Sequence, residues 1–110
     1  DAKHAEIYDV LWSGARQRDA AGKLAAVGDT VDLKIGKYAN SIGAPALSAS
    51  WTDPDFDPKQ RAFYYVRVLE IPTPRWSTIA AAKLGVPIPG KLPVSIQERA
   101  WSSPIWYQPG

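Results

Sequence analysis

Apolar and polar residues alternate along several short stretches of the chain, and this spacing predicts β-strands. The longest stretch is residues 61–71, a run of aromatic and β-branched side chains that Pro72 and Pro74 are expected to end. Both faces of this run are largely apolar, which predicts an inner strand covered on two sides. Arg67 would then stack on an aromatic ring or pair with a carboxylate inside the sheet, or else contact a ligand.

Shorter alternating stretches predict further strands at residues 7–12, 29–36, 46–52, 97–101 and 105–107. Residues 15–28 have no apolar period and predict a surface loop with a turn at residues 19–22. Ser77 or Thr78 is suited to cap a short helix over residues 79–84, which Gly85 would end in a left-handed conformation. The chain is therefore expected to be mainly β, an antiparallel β-sandwich (immunoglobulin-like or similar) with one short helix near residues 77–84.

Composition narrows the possible functions. A length of 110 residues fits a single β-rich domain or a fragment of a larger protein, and the absence of methionine at the start favours a mature or excised segment. The chain has no cysteine, which excludes disulfides and thiolate chemistry. Thirteen basic against eleven acidic residues, with no basic block, predict no nucleic-acid partner. No apolar run approaches the roughly 18 residues of a membrane helix.

Three aspartates at alternate positions, Asp53, Asp55 and Asp57, resemble the start of a calcium-binding loop. Pro58 and Tyr64 stand where an EF-hand has its glycine and its bidentate glutamate, so the match to that motif fails. A looser metal site stays open as a weak alternative. The favoured interpretation is that these carboxylates accept backbone hydrogen bonds in proline-containing turns.

The sequence contains no recognisable catalytic constellation. His4 is the only histidine, so neither a histidine-rich metal centre nor a Ser-His-Asp triad is expected, and the side chain is predicted to be solvated. Five tryptophans and five tyrosines leave two alternatives: aromatic rings that stack sugars, or rings buried in strands, which is the commoner outcome.

The helix start is the best candidate contact site in the sequence. Free amides at a helix N-terminus suit an anion, and Arg75 would add positive charge beside Trp76 and Ser77. The alternative is that Trp76 covers the base of the sandwich while Arg75 pairs with an acid. We list the candidate ligand or interdomain contacts as Arg67, Arg75, Trp76, Ser77, Trp101 and Trp106.

Several blocks in order resemble one bacterial family, the domain-of-unknown-function family 3604, in its C-terminal part. These blocks are Tyr8–Gly14, Val27–Asp32, Ile42–Ala44, Trp51–Pro58, Arg61–Trp76 and Gln97–Tyr107. They cover most of the chain and are specific because long blocks match in sequence order. The match is weaker over residues 15–26 and 79–83.

The resemblance implies a larger, often exported protein whose upstream part is similar to PHP-type metal-dependent phosphoesterases and related hydrolases. The metal-binding residues would precede Asp1, so the resemblance implies no catalytic residue and no cofactor within this segment, and a divalent metal in the upstream part. It also implies a periplasmic or extracellular location. The expected partner is the upstream hydrolase domain of the same polypeptide, contacted through Pro72–Trp76 and Trp101–Trp106.

Overall fold

The computed structural model describes residues 5–110 and contains four short strands and one helix. The elements are β1 (Ala62–Tyr64), β2 (Arg67–Pro74), α1 (Trp76–Leu84), β3 (Ser95–Trp101) and β4 (Ile105–Tyr107). Strand β1 pairs antiparallel with β4, and β2 pairs antiparallel with β3. The prediction of mainly strand with one short helix is confirmed. The strands expected at 97–101 and 105–107 are present.

Both sheets are formed by the same two stretches of chain. Residues 62–74 contribute β1 and β2, and residues 95–107 contribute β3 and β4. Between the two sheets the strand prediction for residues 61–71 is interrupted: the amide of Val66 donates to Ser102 Oγ at 2.8 Å, and the amide of Ser102 donates to the Val66 carbonyl at 2.9 Å. A bulge lies between Leu69 and Pro72. Each sheet has two strands, so every strand is an edge strand.

Contrary to the prediction, Pro72 does not end β2, and the strand continues to Pro74. The amide of Arg75 donates to the Val94 carbonyl at 3.1 Å, which makes Arg75 and Val94 a hydrogen-bonded pair. Hydrogen-bonded and non-bonded pairs alternate along an antiparallel ladder, so Pro74 and Pro72 occupy non-bonded pairs whose nitrogens face away from β3. A proline loses no ladder hydrogen bond in that position.

The prediction of an inner strand covered on both faces is also wrong. Phe63, Tyr65, Val66 and Val68 are each more than half exposed. The run of aromatic and β-branched residues correctly indicated strand conformation. It also predicted burial, which is not observed, because within residues 5–110 no second layer covers these side chains.

The strands predicted at residues 7–12, 29–36 and 46–52 are absent from the structure. In the second of these, the carboxylates of Asp29 and Asp32 accept the amides of Val31 and Lys34, which turns the chain. A turn over residues 33–36 follows, closed by the amide of Asp32 donating to the Lys37 carbonyl at 2.7 Å. Side-chain hydrogen bonds of this kind compete with a strand ladder, and alternation alone does not outweigh them.

The surface loop predicted over residues 15–28 is largely irregular, and it contains the expected turn. The amide of Gly22 donates to the Asp19 carbonyl at 2.9 Å. Arg18 fastens the loop to the preceding segment, since its guanidinium lies 3.2 Å from the Asp9 carboxylate and 5.2 Å from the centre of the Trp12 ring.

The N-cap of helix α1 lies two residues before Ser77, the earlier of the two predicted caps. Arg75 is the N-cap in extended conformation, without a side-chain capping hydrogen bond, so the proposed Ser77 or Thr78 cap is wrong. Both residues lie in the first turn and are buried; Thr78 is fully buried, and its Oγ1 donates to the Val94 carbonyl at 2.7 Å. Gly85 ends the helix with a φ of 67°, as predicted.

The turn over residues 33–36 packs directly against α1. Gly36 is buried and has a φ of +62°. A Cβ at this position would lie 2.9 Å from the Ile79 Cα and 3.3 Å from the Ala82 Cβ. Glycine therefore allows both the turn conformation and the close approach of turn and helix.

The chain is extended and buries little of itself. Its radius of gyration is 18.7 Å, against about 13 Å for a compact domain of this length. Ala81 is the one buried hydrophobic residue in the described range. The accessible surface is 9186 Å², where a compact monomer of this size exposes about 6,000 Å². Within residues 5–110, no helix has the length and apolar character needed to cross a bilayer.

Candidate interaction surface

One face of the β1–β4 sheet is covered by the preceding loop. The Trp51 ring lies 4.9 Å from Tyr8 and 6.5 Å from Tyr64, and the Phe56 ring lies 4.9 Å from Tyr107. The hydroxyl of Tyr107 donates to the Pro58 carbonyl at 3.0 Å. These contacts hold residues 51–58 against one face of the sheet. The two faces of the sheet therefore differ, because the loop covers only one of them.

The three aspartates of this loop act as hydrogen-bond acceptors. Asp53 accepts the amide of Asp55, and Asp57 accepts the amide of Lys59, both at 2.9 Å, as the proline-turn interpretation expected. The second carboxylate oxygen of Asp53 accepts the Tyr64 hydroxyl at 2.7 Å. Within residues 5–110, no three acidic or histidine side chains are grouped as metal ligands.

Two tyrosine hydroxyls are held by carboxylates. The hydroxyl of Tyr8 contacts Glu6 at 2.6 Å and Asp55 at 2.8 Å, and these hydrogen bonds raise the pKa of Tyr8 above its usual range. The hydrogen bond to Asp53 likewise raises the pKa of Tyr64. In both cases the neutral phenol is the hydrogen-bonding form, so the carboxylate stabilises it against ionisation.

We expect Asp53→Asn to lower the pKa of Tyr64 towards its ordinary value of 10.0. The carboxylate oxygen that accepts the Tyr64 hydroxyl becomes an amide nitrogen, which cannot accept it, while the side-chain carbonyl still accepts the amide of Asp55. The stability that this hydrogen bond supplies is complete below pH about 10 and is lost as the pH rises through the folded-state pKa of Tyr64. Ultraviolet absorbance of tyrosinate during alkaline titration measures the change. Asp57→Asn is the matched control, because Asp57 contacts no tyrosine hydroxyl, and equal titration curves for the two variants would contradict the assignment.

The opposite face of the β1–β4 sheet carries an exposed aromatic cluster, Phe63, Tyr65 and Trp106. Phe63 pairs with Trp106 across the strands, with ring centres 5.1 Å apart, and the Phe63 and Tyr65 rings are nearly parallel at 6.3 Å. Each of the three side chains is more than half exposed. The prediction that strand aromatics are buried is thus wrong for this cluster, whereas Tyr8 and Tyr64 are half-buried.

The β2–β3 sheet presents a basic and aromatic face. Arg67 lies directly opposite Trp101, and Arg99 lies opposite Leu69 on the same side of the sheet. All four side chains are exposed. Among residues 5–110 one ion pair is found, between Arg18 and Asp9. Neither arginine of this face therefore has a carboxylate of the described residues within salt-bridge distance.

Arg67 therefore neither pairs with a carboxylate inside a sheet nor stacks on a described ring, contrary to the favoured prediction. Sequence reasoning missed Arg99 altogether. The signal was available, because Arg99 precedes Trp101 by two residues in a predicted strand and two such residues share a face.

The helix start is a second exposed corner. Trp76 is 72% exposed and Arg75 is half-buried without an acidic partner among the described residues, so the alternative in which Trp76 covers a sandwich base is wrong. Ser77 is buried, and its Oγ has no hydrogen-bond partner in the described part of the chain. An apolar groove of about 220 Å³ runs beside it. The groove is lined in part by Trp76, Ala80, Leu84, Val86, Pro89 and Leu92.

The structure thus distributes the predicted site residues over three places. Arg67 and Trp101 are cross-strand neighbours on β2–β3, while Trp106 lies on the aromatic cluster of β1–β4. The residues at positions 75–77 are consecutive at the start of α1. His4 lies outside the described residues. The groove beside α1 is lined by two of the candidate residues, Trp76 and Ser77.

Exposed rings and unpaired arginines on two-stranded sheets, together with a single buried apolar residue in the described range, define a β-rich segment whose apolar surface is largely uncovered. The chain belongs to the family described as Protein of unknown function (DUF3604), whose family model matches residues 1–109. No curated protein and no solved structure matches the chain.

Proposed function

We propose that the chain is a non-catalytic, C-terminal segment of a larger exported hydrolase of unknown substrate, and that it packs against the upstream domain of that protein. The divalent metal of the hydrolase would be held by the upstream domain, in a periplasmic or extracellular protein. The observation that supports this proposal best is the exposed apolar surface, and family membership supports it through the resemblance of the family to PHP-type hydrolases.

The amount of exposed surface fits an interface within one protein. The accessible surface exceeds that of a compact monomer by about 3,000 Å². Obligate interfaces bury roughly 2,000–5,000 Å² and have apolar centres. The aromatic cluster supplies such a centre.

The same proposal includes the β-sandwich architecture. Two-stranded antiparallel sheets are marginal in water, and three or more strands with a covered apolar face are needed for independent stability. Further strands from the upstream part would complete the sheets, and the aromatic cluster would then face the inside of a sandwich.

The test replaces Phe63 and Trp106 by serine together in the full-length protein. If the cluster is buried against the upstream domain, each replacement removes about 3–5 kcal/mol from the free energy of unfolding. Leu47→Ser is the control, because Leu47 is similarly exposed but belongs to neither sheet. Urea unfolding of the three proteins measures the difference.

Two results would count against the proposal. If the double variant is as stable as Leu47→Ser, the cluster is not an interface. If the folded double variant loses tenfold or more in kcat/KM for ester hydrolysis, about 1.4 kcal/mol of transition-state stabilisation, the segment helps to build the active site. A non-catalytic segment predicts a kcat/KM close to that of the unaltered protein.

A second candidate function is an independent module that binds a carbohydrate or another polar ligand. The nearly parallel rings of Phe63 and Tyr65, interplanar angle 13°, favour it, since sugars stack on exposed aromatic rings. Titration of the chain with a glycan panel should then change its tryptophan fluorescence through Trp106. A flat response across the panel would remove this candidate and leave the interface proposal standing.

A further inference from the structure

The outer edge of β3 has the features of an acceptor for another β-strand. The amide of Ser102 donates to the Val66 carbonyl, and at the other end the amide of Arg75 donates to the Val94 carbonyl. On the β3 side, the hydrogen-bonded residues of these two pairs are Val94 and Ser102, which flank the strand and both have even numbers. Because bonded and non-bonded positions alternate, the amides at 96, 98 and 100 face β2, while those at 97, 99 and 101 face outward.

The outward-facing backbone groups of β3 are without partners in the described part of the chain. Gln97, Arg99 and Trp101 make no backbone hydrogen bond on this side within residues 5–110. At one end the Ser95 hydroxyl contacts the Asp29 carboxylate at 3.1 Å, so the open edge runs from Gln97 to Trp101. Three amides and three carbonyls thus form an unused ladder.

The outer edge of β2 is closed to such pairing in its second half. Pro72 and Pro74 occupy outward-facing positions there and have no amide hydrogen to donate. The loop at Gly43 also approaches this part of the strand so closely that a Cβ on Gly43 would lie 2.6 Å from the Ile71 Cγ2. Of the two edges of this sheet, β3 therefore offers the longer uninterrupted row of backbone groups.

The side chains around this edge indicate what kind of strand fits it. On one face Arg99 and Arg67 have no acidic partner within residues 5–110, so acidic residues suit that side of an added strand. On the other face of β3, Glu98 lies between Ile96 and Ala100, so a basic residue suits the position opposite Glu98. An added strand would therefore carry an acidic residue beside Arg99 and a basic residue beside Glu98.

A second copy of the chain is a poor occupant. Antiparallel self-pairing over the full length of β3 centres on Glu98 and sets it directly opposite its own copy. Like charges in that position are destabilising. The upstream part of the same polypeptide is the better source, because its strand would be held beside β3 at high effective concentration.

We propose that the Gln97–Trp101 edge of β3 pairs with an extended strand from the upstream part of the protein, in which an acidic residue faces Arg99 and a basic residue faces Glu98. This inference rests on the proposed function, and it specifies how one of the two sheets is extended. The added strand makes β2–β3 a sheet of at least three strands, which meets the general requirement for an independently stable sheet.

Residue-resolved amide hydrogen exchange in the full-length protein tests the proposal. The amides at 96 and 100 are internal controls, because these residues pair with β2 whether or not a strand is added. If the added strand is present, the amides at 97, 99 and 101 exchange about as slowly as these controls. Slow controls with fast outward amides would overturn the inference and leave the interface of the aromatic cluster unaffected. Fast exchange at all five positions would overturn both.

Two substitutions test whether the slow exchange of the outward amides comes from an added strand or from another cause. Gln97→Pro removes an outward amide and should speed the exchange of the Trp101 amide about tenfold or more, while Gln97→Ala should not. Arg99→Glu should have the same effect as the proline variant, with Lys91→Glu in the connecting loop as its charge-matched control. Protection that disappears on dilution, together with a dimer in sedimentation, would overturn the inference in favour of self-pairing.

Discussion

An isolated 110-residue chain is expected to unfold in urea over a broad transition, with a free energy of unfolding near zero. The physical reason is the small amount of surface that it buries. An extended chain of this size exposes about 17,000 Å², so a structure exposing 9186 Å² removes only about half of that from water. A compact domain of similar length buries about two thirds.

Urea unfolding followed by far-ultraviolet circular dichroism measures this prediction, and binding of an apolar dye reports the exposed rings. The slope of the free energy against urea should be lower than for a compact domain, because it scales with the surface exposed on unfolding. The full-length protein is the comparison, and its aromatic cluster should bind little dye. A sharp two-state transition with 5 kcal/mol or more would contradict the proposed interface, since that is the stability of an ordinary autonomous domain.

Replacing Gly36 by alanine is expected to destabilise the protein strongly. The new Cβ would lie 2.9 Å from the Ile79 Cα, and backbone cannot move aside as a flexible side chain can. A φ of +62° adds the cost of a left-handed conformation, about 1–2 kcal/mol. With overpacking, the total loss is about 2–5 kcal/mol.

The loss should appear as faster amide exchange across α1 in the full-length protein, by about 30-fold or more. Gly22→Ala is the matched control, because Gly22 has a φ of +80° and nothing lies within 4 Å of the added methyl. The control therefore measures the conformational cost alone. Equal effects of the two substitutions would show that the turn does not pack on α1 as described.

The local pattern of the sequence was enough to locate the regular elements of the second half. β-Branched and aromatic runs predicted strands at residues 61–71, 97–101 and 105–107, close to the observed strands, and Gly85 ends the helix as its conformational freedom suggests. The turn at Asp19–Gly22 and the hydrogen bonds of Asp53 and Asp57 follow from short-range geometry of the same kind. These features depend on residues close together in the chain.

Alternation failed in the first half because a strand also requires a partner. Residues 7–12 and 46–52 have suitable side chains but no neighbouring strand among the described residues. In residues 29–36 the carboxylates of Asp29 and Asp32 satisfy backbone amides locally, so a turn forms. Pairing over long distances is decided by the whole molecule, and a local pattern does not contain it.

The candidate site residues were likewise predictable only in part from the local sequence. The sequence indicated that Arg67, Trp101 and Trp106 lie in strands, and the resemblance of ordered blocks indicated the family to which the chain belongs. Register decided that Trp101 faces Arg67 on one sheet while Trp106 joins Phe63 on the other. Residue types alone thus determined which segments can be strands. Only the tertiary structure decided which of their faces and edges stay open, because burial depends on what packs against a face.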